Sequence, residues 1–90
     1  MISKSLVFHG KVQGVGFRYF VTDIARDLEI TGWVRNEYDG TVSAEITGQS
    51  ENIELFLNKV KDGPRFGFVK KIDISDLSNV IEYKNFNIRY

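Results

Sequence analysis

Apolar residues recur along the chain with two different periods. Phe17, Phe20, Val21, Ile24, Ala25 and Leu28 follow helical spacing, with Asp23, Arg26 and Asp27 on the other side, so an amphipathic helix is predicted from about Phe17 to Leu28. Ile53, Phe56, Leu57 and Val60 repeat that spacing. Ser50 is the expected N-cap of this second helix, Glu51 falls in its first turn and Lys59 and Lys61 in its last, and Gly63-Pro64 stops it. Between the helices, Val42, Ala44 and Ile46 alternate with Ser43, Glu45 and Thr47, which predicts a strand with one buried and one wet face. The whole stretch "TGWVRNEYDGTVSAEITG" reads as a β-hairpin with Asp39-Gly40 as a two-residue turn. "KSLVFHGKV" reads as a first strand, and "RFGFVKKIDIS" and "IEYKNFNIRY" as the last two.

Two amphipathic helices need one sheet face to cover. The expected architecture is therefore α+β: a ferredoxin-like βαββαβ sandwich, an antiparallel sheet with two helices on one face and an extra C-terminal strand. Ninety residues make a single domain, 1–90, with no room for a second core. That architecture hosts many functions and selects none of them.

Composition narrows the chemistry. The chain has no cysteine, which excludes a disulfide scaffold, a thiolate metal site and a thiol nucleophile. Twelve basic and twelve acidic side chains cancel, so binding of nucleic acid through bulk charge is not expected. "LVF" near the N-terminus is too short for a signal-peptide core or a membrane span, and a cytoplasmic protein without membrane partners is the default. Any anion must then bind at a local site.

"KVQGVGFRYF" offers such a site, because its glycines sit between a strand and a helix N-terminus, where free N–H groups and the positive end of the helix dipole converge. Gly14 and Gly16 permit positive φ angles, which turn the N–H groups of Gln13, Gly14, Val15, Gly16, Phe17 and Arg18 into one concavity. Arg18 adds a planar fork of donors that suits a phosphate or carboxylate. The segment lacks the glycine-lysine-serine/threonine ending of a P-loop and the third glycine of a dinucleotide fingerprint. The plainer alternative is a tight strand-to-helix turn beside a solvated arginine.

"GKVQGVGFR" together with "TGWVRNEYDGTV" resembles the signature pair of the acylphosphatases, and the resemblance continues through "GPRFGFV" to the closing "NFNIRY". It implies a ferredoxin-like sandwich that hydrolyses small-molecule acyl phosphates to a carboxylate and inorganic phosphate, with no metal and no cofactor. It also implies that Arg18 binds substrate, that the amides of Gln13–Arg18 cradle the phosphate, and that Asn36 holds the attacking water. A carboxamide both donates and accepts, so Asn36 could orient a water without titrating; by itself it is an ordinary polar residue near a turn. In some relatives the C-terminal carboxylate pairs with the catalytic arginine, which gives Tyr90 the expected role of steadying Arg18. Two departures stand out. Glu29 follows Leu28 where the family usually has glycine, and Gly67 stands where alanine is usual, read as a small loss of strand order.

The rest of the chain offers little rival chemistry. His9 lies within the first strand, Asp23 and Asp27 share a solvated helix face, and no His/Asp/Glu spacing resembles a metal site. A carboxylate is a weakly basic leaving group, with a parent acid pKa near ~4, so its departure needs no general acid. Two alternatives belong to other classes: a non-catalytic anion-binding or regulatory module on the same architecture, and an RNA-binding sheet using Phe66, Phe68, Tyr83, Phe86 and Tyr90, for which core and edge packing is the simpler role. A lone domain of this size is expected to act as a monomer.

Overall fold

In the computed structural model, which describes residues 1–90, the chain forms β1 (Ile2–Lys11), α1 (Phe17–Asp27), β2 (Thr31–Asn36), β3 (Val42–Gly48), α2 (Ser50–Val60), β4 (Phe68–Asp76) and β5 (Phe86–Arg89). The strands make one sheet in the order β4-β1-β3-β2-β5. β1 pairs antiparallel with β3 and β4, and β2 antiparallel with β3. Leu6, Phe8, Val34, Val42, Ala44 and Ile46 point from the sheet into a core closed by Val21 and Ala25 of α1 and Ile53, Phe56 and Val60 of α2. The two helical stripes and the alternation of β3 thus meet as their periods require. Neither helix is long and apolar enough to cross a membrane.

The fifth strand makes the sheet mixed, because β5 lies parallel to β2, with Gly32 opposite Phe86 and Val34 opposite Ile88. The direction follows from the path. After β4, on one edge, residues 77–85 cross to the far edge, so β5 runs opposite to β4, and β2 already does. The crossing is pinned over the face away from the helices. The Ile81 N–H donates to Ser3 Oγ at 2.9 Å, Thr47 Oγ1 donates to the Ile81 carbonyl at 2.7 Å, and Tyr83 Oη donates to Glu45 at 2.6 Å. Thr47, expected on the wet face, is buried beneath this strap beside Ser3.

Local details differ from the expected ones in instructive ways. The hairpin loop has three residues rather than two: Gly40 N–H donates to the Glu37 carbonyl at 3.3 Å, Gly40 takes φ 92°, and Glu37 N–H reaches the Thr41 carbonyl at 2.9 Å. A turn followed by a left-handed glycine closes the ladder one residue later than a two-residue turn would. Gln49, not Ser50, is the N-cap of α2, and no side chain caps it. Glu29 does take the left-handed conformation, at φ 56°. Its N–H bonds the Arg26 carbonyl and that of Ile30 the Ala25 carbonyl, the paired bonds of a Schellman ending.

Gly67 matters for more than strand order. A Cβ there would lie 2.5 Å from the Lys11 carbonyl oxygen and 2.8 Å from Val15 Cγ2, so the bare backbone lets this segment lean against the loop after β1. Of the late aromatics, only Phe86 is in the core, whereas Phe66, Phe68 and Tyr90 are exposed. Phe68 begins β4 on one edge of the sheet and Tyr90 follows β5 on the other, so these exposed rings do not share a stacking platform.

Candidate active site

The loop between β1 and α1 is anchored at both ends by apolar residues. Val12 and Phe17 are both buried, and the Phe17 ring meets Phe8 edge-on with centroids 5.0 Å apart. Between these anchors Gly14 and Gly16 have φ of 73° and 75°, and Gly16 is the N-cap of α1. A Cβ at either would meet nothing within 4 Å, so glycine is required there by backbone conformation and not by lack of room. The N–H groups from Gln13 to Arg18 donate no hydrogen bond within the protein. Together with the start of the helix, they are a run of donors without a partner inside the protein.

Arg18 stands in the first turn of α1, half-buried, and its carbonyl accepts a bond from Thr22 Oγ1 at 2.7 Å. Its guanidinium lies 4.8 Å from the centre of the Tyr90 ring. The ion pairs of the fold are Lys4–Asp76, His9–Asp73, Arg35–Glu37 and Lys71–Asp73, so the expected pairing of Arg18 with the carboxylate at Tyr90 is replaced by contact with the ring. Asn36 ends β2 opposite Val42, and its Oδ1 is buried without a hydrogen-bond partner. A buried acceptor left unpaired costs roughly 1–3 kcal/mol, so this position is locally unfavourable for the fold.

A hollow of about 150 Å³ brings these pieces together, lined by Val12, Gly14, Gly16, Phe17, Arg18, Tyr19 and Asn36. Val15 packs instead toward Gly67, and the Gln13 side chain turns into a neighbouring hollow of about 620 Å³ with Arg35, Asn36, Glu37, Tyr38 and Tyr90. The larger hollow contains neither the glycines nor Arg18; Asn36 separates the two and borders both. Sequence reasoning missed Tyr19 on the wall, the side chain of Gln13 and the ring of Tyr90. For the first, its place directly after Arg18 is the only sequence signal.

The ionisable groups nearby are already committed. Glu37 accepts from the Ser43 hydroxyl and from Arg35 Nε, the latter at 3.0 Å, and these bonds hold its carboxyl below the usual glutamate range. Thr41 does the same for Asp39 through its hydroxyl and its N–H. The neighbouring Tyr90 side chain pushes the Tyr19 phenol up, so it stays protonated at neutral pH. His9 Nε2 lies 2.8 Å from Asp73 Oδ2, between β1 and β4. No three His, Asp or Glu side chains converge in a way that could hold a metal ion.

The chain is similar to known proteins over its full length. Residues 4–88 match the family model described as acylphosphatase. The acylphosphatase of Oceanobacillus iheyensis is 44% identical over 82 residues, covering 90% of each chain, and that of Clostridium beijerinckii is 40% identical over 90 residues, covering both chains completely. The crystal structure of acylphosphatase from Bacillus subtilis superposes with a TM-score of 0.97 at 34% identity, again over the whole of both chains. A backbone shared that closely, with identities of this size and a family match across the sheet and both helices, leaves one assignment: the chain belongs to the acylphosphatase family of hydrolases.

Proposed function

We propose that the protein hydrolyses the carboxyl–phosphate bond of small acyl phosphates by gripping the phosphoryl group in the β1–α1 loop and directing a water at it from Asn36. The observation that carries this reading is the hollow in which Gly14, Gly16, Arg18 and Asn36 meet. Free N–H groups of Gln13–Arg18 and the fork of Arg18 supply donors to the phosphoryl oxygens, each charge-assisted bond contributing roughly 1.5–3 kcal/mol. These donors also match the charge that spreads over the equatorial oxygens during transfer.

Asn36 stands between the phosphoryl hollow and the larger open one. Its carboxamide borders both hollows and can hydrogen-bond a water that enters from the open side, which aims the water's lone pair toward phosphorus. The P–O bond to the carboxylate then breaks on the opposite side, and the electron pair leaves on an oxygen too weakly basic to need a proton. Glu37 borders the open hollow, but Ser43 and Arg35 hold its carboxylate and lower its basicity, which makes it a poor proton acceptor. The water's proton passes instead to an oxygen of the transferring phosphoryl group.

Benzoyl phosphate with EDTA present tests the reading. Saturable hydrolysis, inhibited competitively by inorganic phosphate, is expected, and Arg18→Ala should abolish both turnover and phosphate binding. Arg18→Lys should recover little of either, because an ammonium cannot make a two-point contact. Phosphate binding without turnover would instead identify an anion-binding module.

A further inference from the structure

The two halves of the site come from separate parts of the chain; they share the apolar core, and the hydrogen bonds that join them come from one side chain. Hydrogen bonds between residues 12–18 and residues 36–41 number two, and both start at Gln13 Nε2. That nitrogen donates to the Glu37 carbonyl at 2.7 Å and to the Thr41 carbonyl at 2.9 Å. Glu37 directly follows Asn36, and the same Thr41 carbonyl receives the Glu37 N–H at 2.9 Å. The carboxamide therefore clasps both rims of the hairpin mouth at the point where Asn36 emerges.

This clasp has consequences for aim. With Asn36 Oδ1 unpartnered, the direction of its carboxamide is set by its backbone and the walls around it. Its distance from the loop depends on what holds the hairpin against that loop. In-line attack requires reacting atoms about 3–3.5 Å apart, and a misplacement of about 1 Å can cost roughly 10²-fold in rate. A carboxamide suits the task because one planar nitrogen carries two hydrogens, one for each carbonyl.

We propose that the Gln13 side chain is a positioning residue for hydrolysis, setting the distance between the bound phosphoryl group and Asn36. The proposal rests on the reading of the site given above. Gln13 has two separable parts: its N–H belongs to the phosphate cradle whatever the side chain, whereas the clasp belongs to the side chain alone.

Gln13→Met keeps the length and removes both donors, and Gln13→Glu replaces them with a group whose donor depends on pH. With benzoyl phosphate as substrate, Gln13→Met should lower kcat about 10–100-fold while the inhibition constant for inorganic phosphate stays within about threefold. Circular dichroism at the assay temperature establishes that the variant is folded. Gln13→Glu should be equally impaired at pH 7, where a carboxylate faces two carbonyl oxygens, and should regain kcat on acidification as its carboxyl becomes able to donate to one of them. Wild type should lack that acid limb. The other ionisable groups of this hollow are Arg35 and Glu37, paired with each other at 3.0 Å, and the phenols of Tyr38 and Tyr90.

A Gln13→Met enzyme with kcat within twofold of an active wild type overturns the proposal alone, as does a parallel loss of kcat and phosphate affinity. If Gln13→Met does not fold, absence of acid recovery in folded Gln13→Glu overturns it equally. An inactive wild type overturns the hydrolase reading and the proposal together.

Discussion

The guanidinium of Arg18 rests against the face of the Tyr90 ring, 4.8 Å from its centre. This contact restrains the side chain without occupying its donors, since cation–π attraction acts through the flat of the guanidinium. A carboxylate partner would compete with the phosphoryl group for the same N–H groups; a ring does not. Tyr90 is 86% exposed, so the attraction contributes only about 0.5–1 kcal/mol. Tyr90→Ala should accordingly weaken inorganic-phosphate inhibition by about two- to fivefold, whereas Tyr90→Phe, which keeps the ring, should stay within twofold of wild type. Inhibition constants against benzoyl phosphate check both.

In the proposed mechanism Asn36 has a different part in the cycle from Arg18. Asn36→Ala should lose about 10²–10³ in kcat, as when one preorganised hydrogen-bonding group is removed, and should still bind phosphate. Calorimetric titration with phosphate beside steady-state assays separates the two effects. Near-normal turnover in the alanine variant would end the water-positioning role.

Glu29 holds a left-handed conformation at the end of α1 that costs a residue bearing a Cβ about 1 kcal/mol. Its exposed position means that little packing is lost on truncation. Glu29→Gly should therefore raise stability by about 1 kcal/mol and the melting temperature by roughly 4–8 °C for a domain of this size, with kcat unchanged. Thermal denaturation followed by circular dichroism is the measurement; an unchanged or lower Tm would show that the strain is relieved elsewhere.

Acid should loosen the β2–β3 hairpin first. The carboxyls of Glu37 and Asp39 are both held below their ordinary range, by Ser43 and Arg35 and by Thr41 respectively. A lowered folded-state pKa contributes stability that is present above the unfolded pKa and is lost as pH falls through the folded value. Tm should thus decline as pH drops below about 4, and Glu37→Gln should flatten part of that decline. An identical acid limb in the variant would exclude Glu37 as a contributor.

Periodicity alone makes most of the architecture legible in the sequence. The Phe17–Leu28 stripe and the Val42–Ile46 alternation each allow one buried face, and the fold uses both. The positive φ values of Gly14 and Gly16 follow the same logic, because few other residues make that turn cheaply. What stayed hidden depends on where distant segments meet. The direction of β5 is decided by a strap that crosses the sheet, and nothing in "NFNIRY" encodes a parallel partner. Likewise the Gln13 clasp ends on main-chain carbonyls of Glu37 and Thr41, acceptors that every residue carries and that no side-chain pattern marks. Asp39-Gly40 suits a two- or a three-residue loop, and the Glu37 carbonyl decided between them.

Val12 and Phe17 sit in the same interior as the sheet and both helices. The loop proposed to grip the phosphoryl group is consequently stapled at both ends rather than hinged, and its curvature is an inheritance of folding that substrate need not induce. Heat cannot free those two anchors without prising open the oily centre of the molecule, so loss of activity on warming should coincide with collapse of the fold.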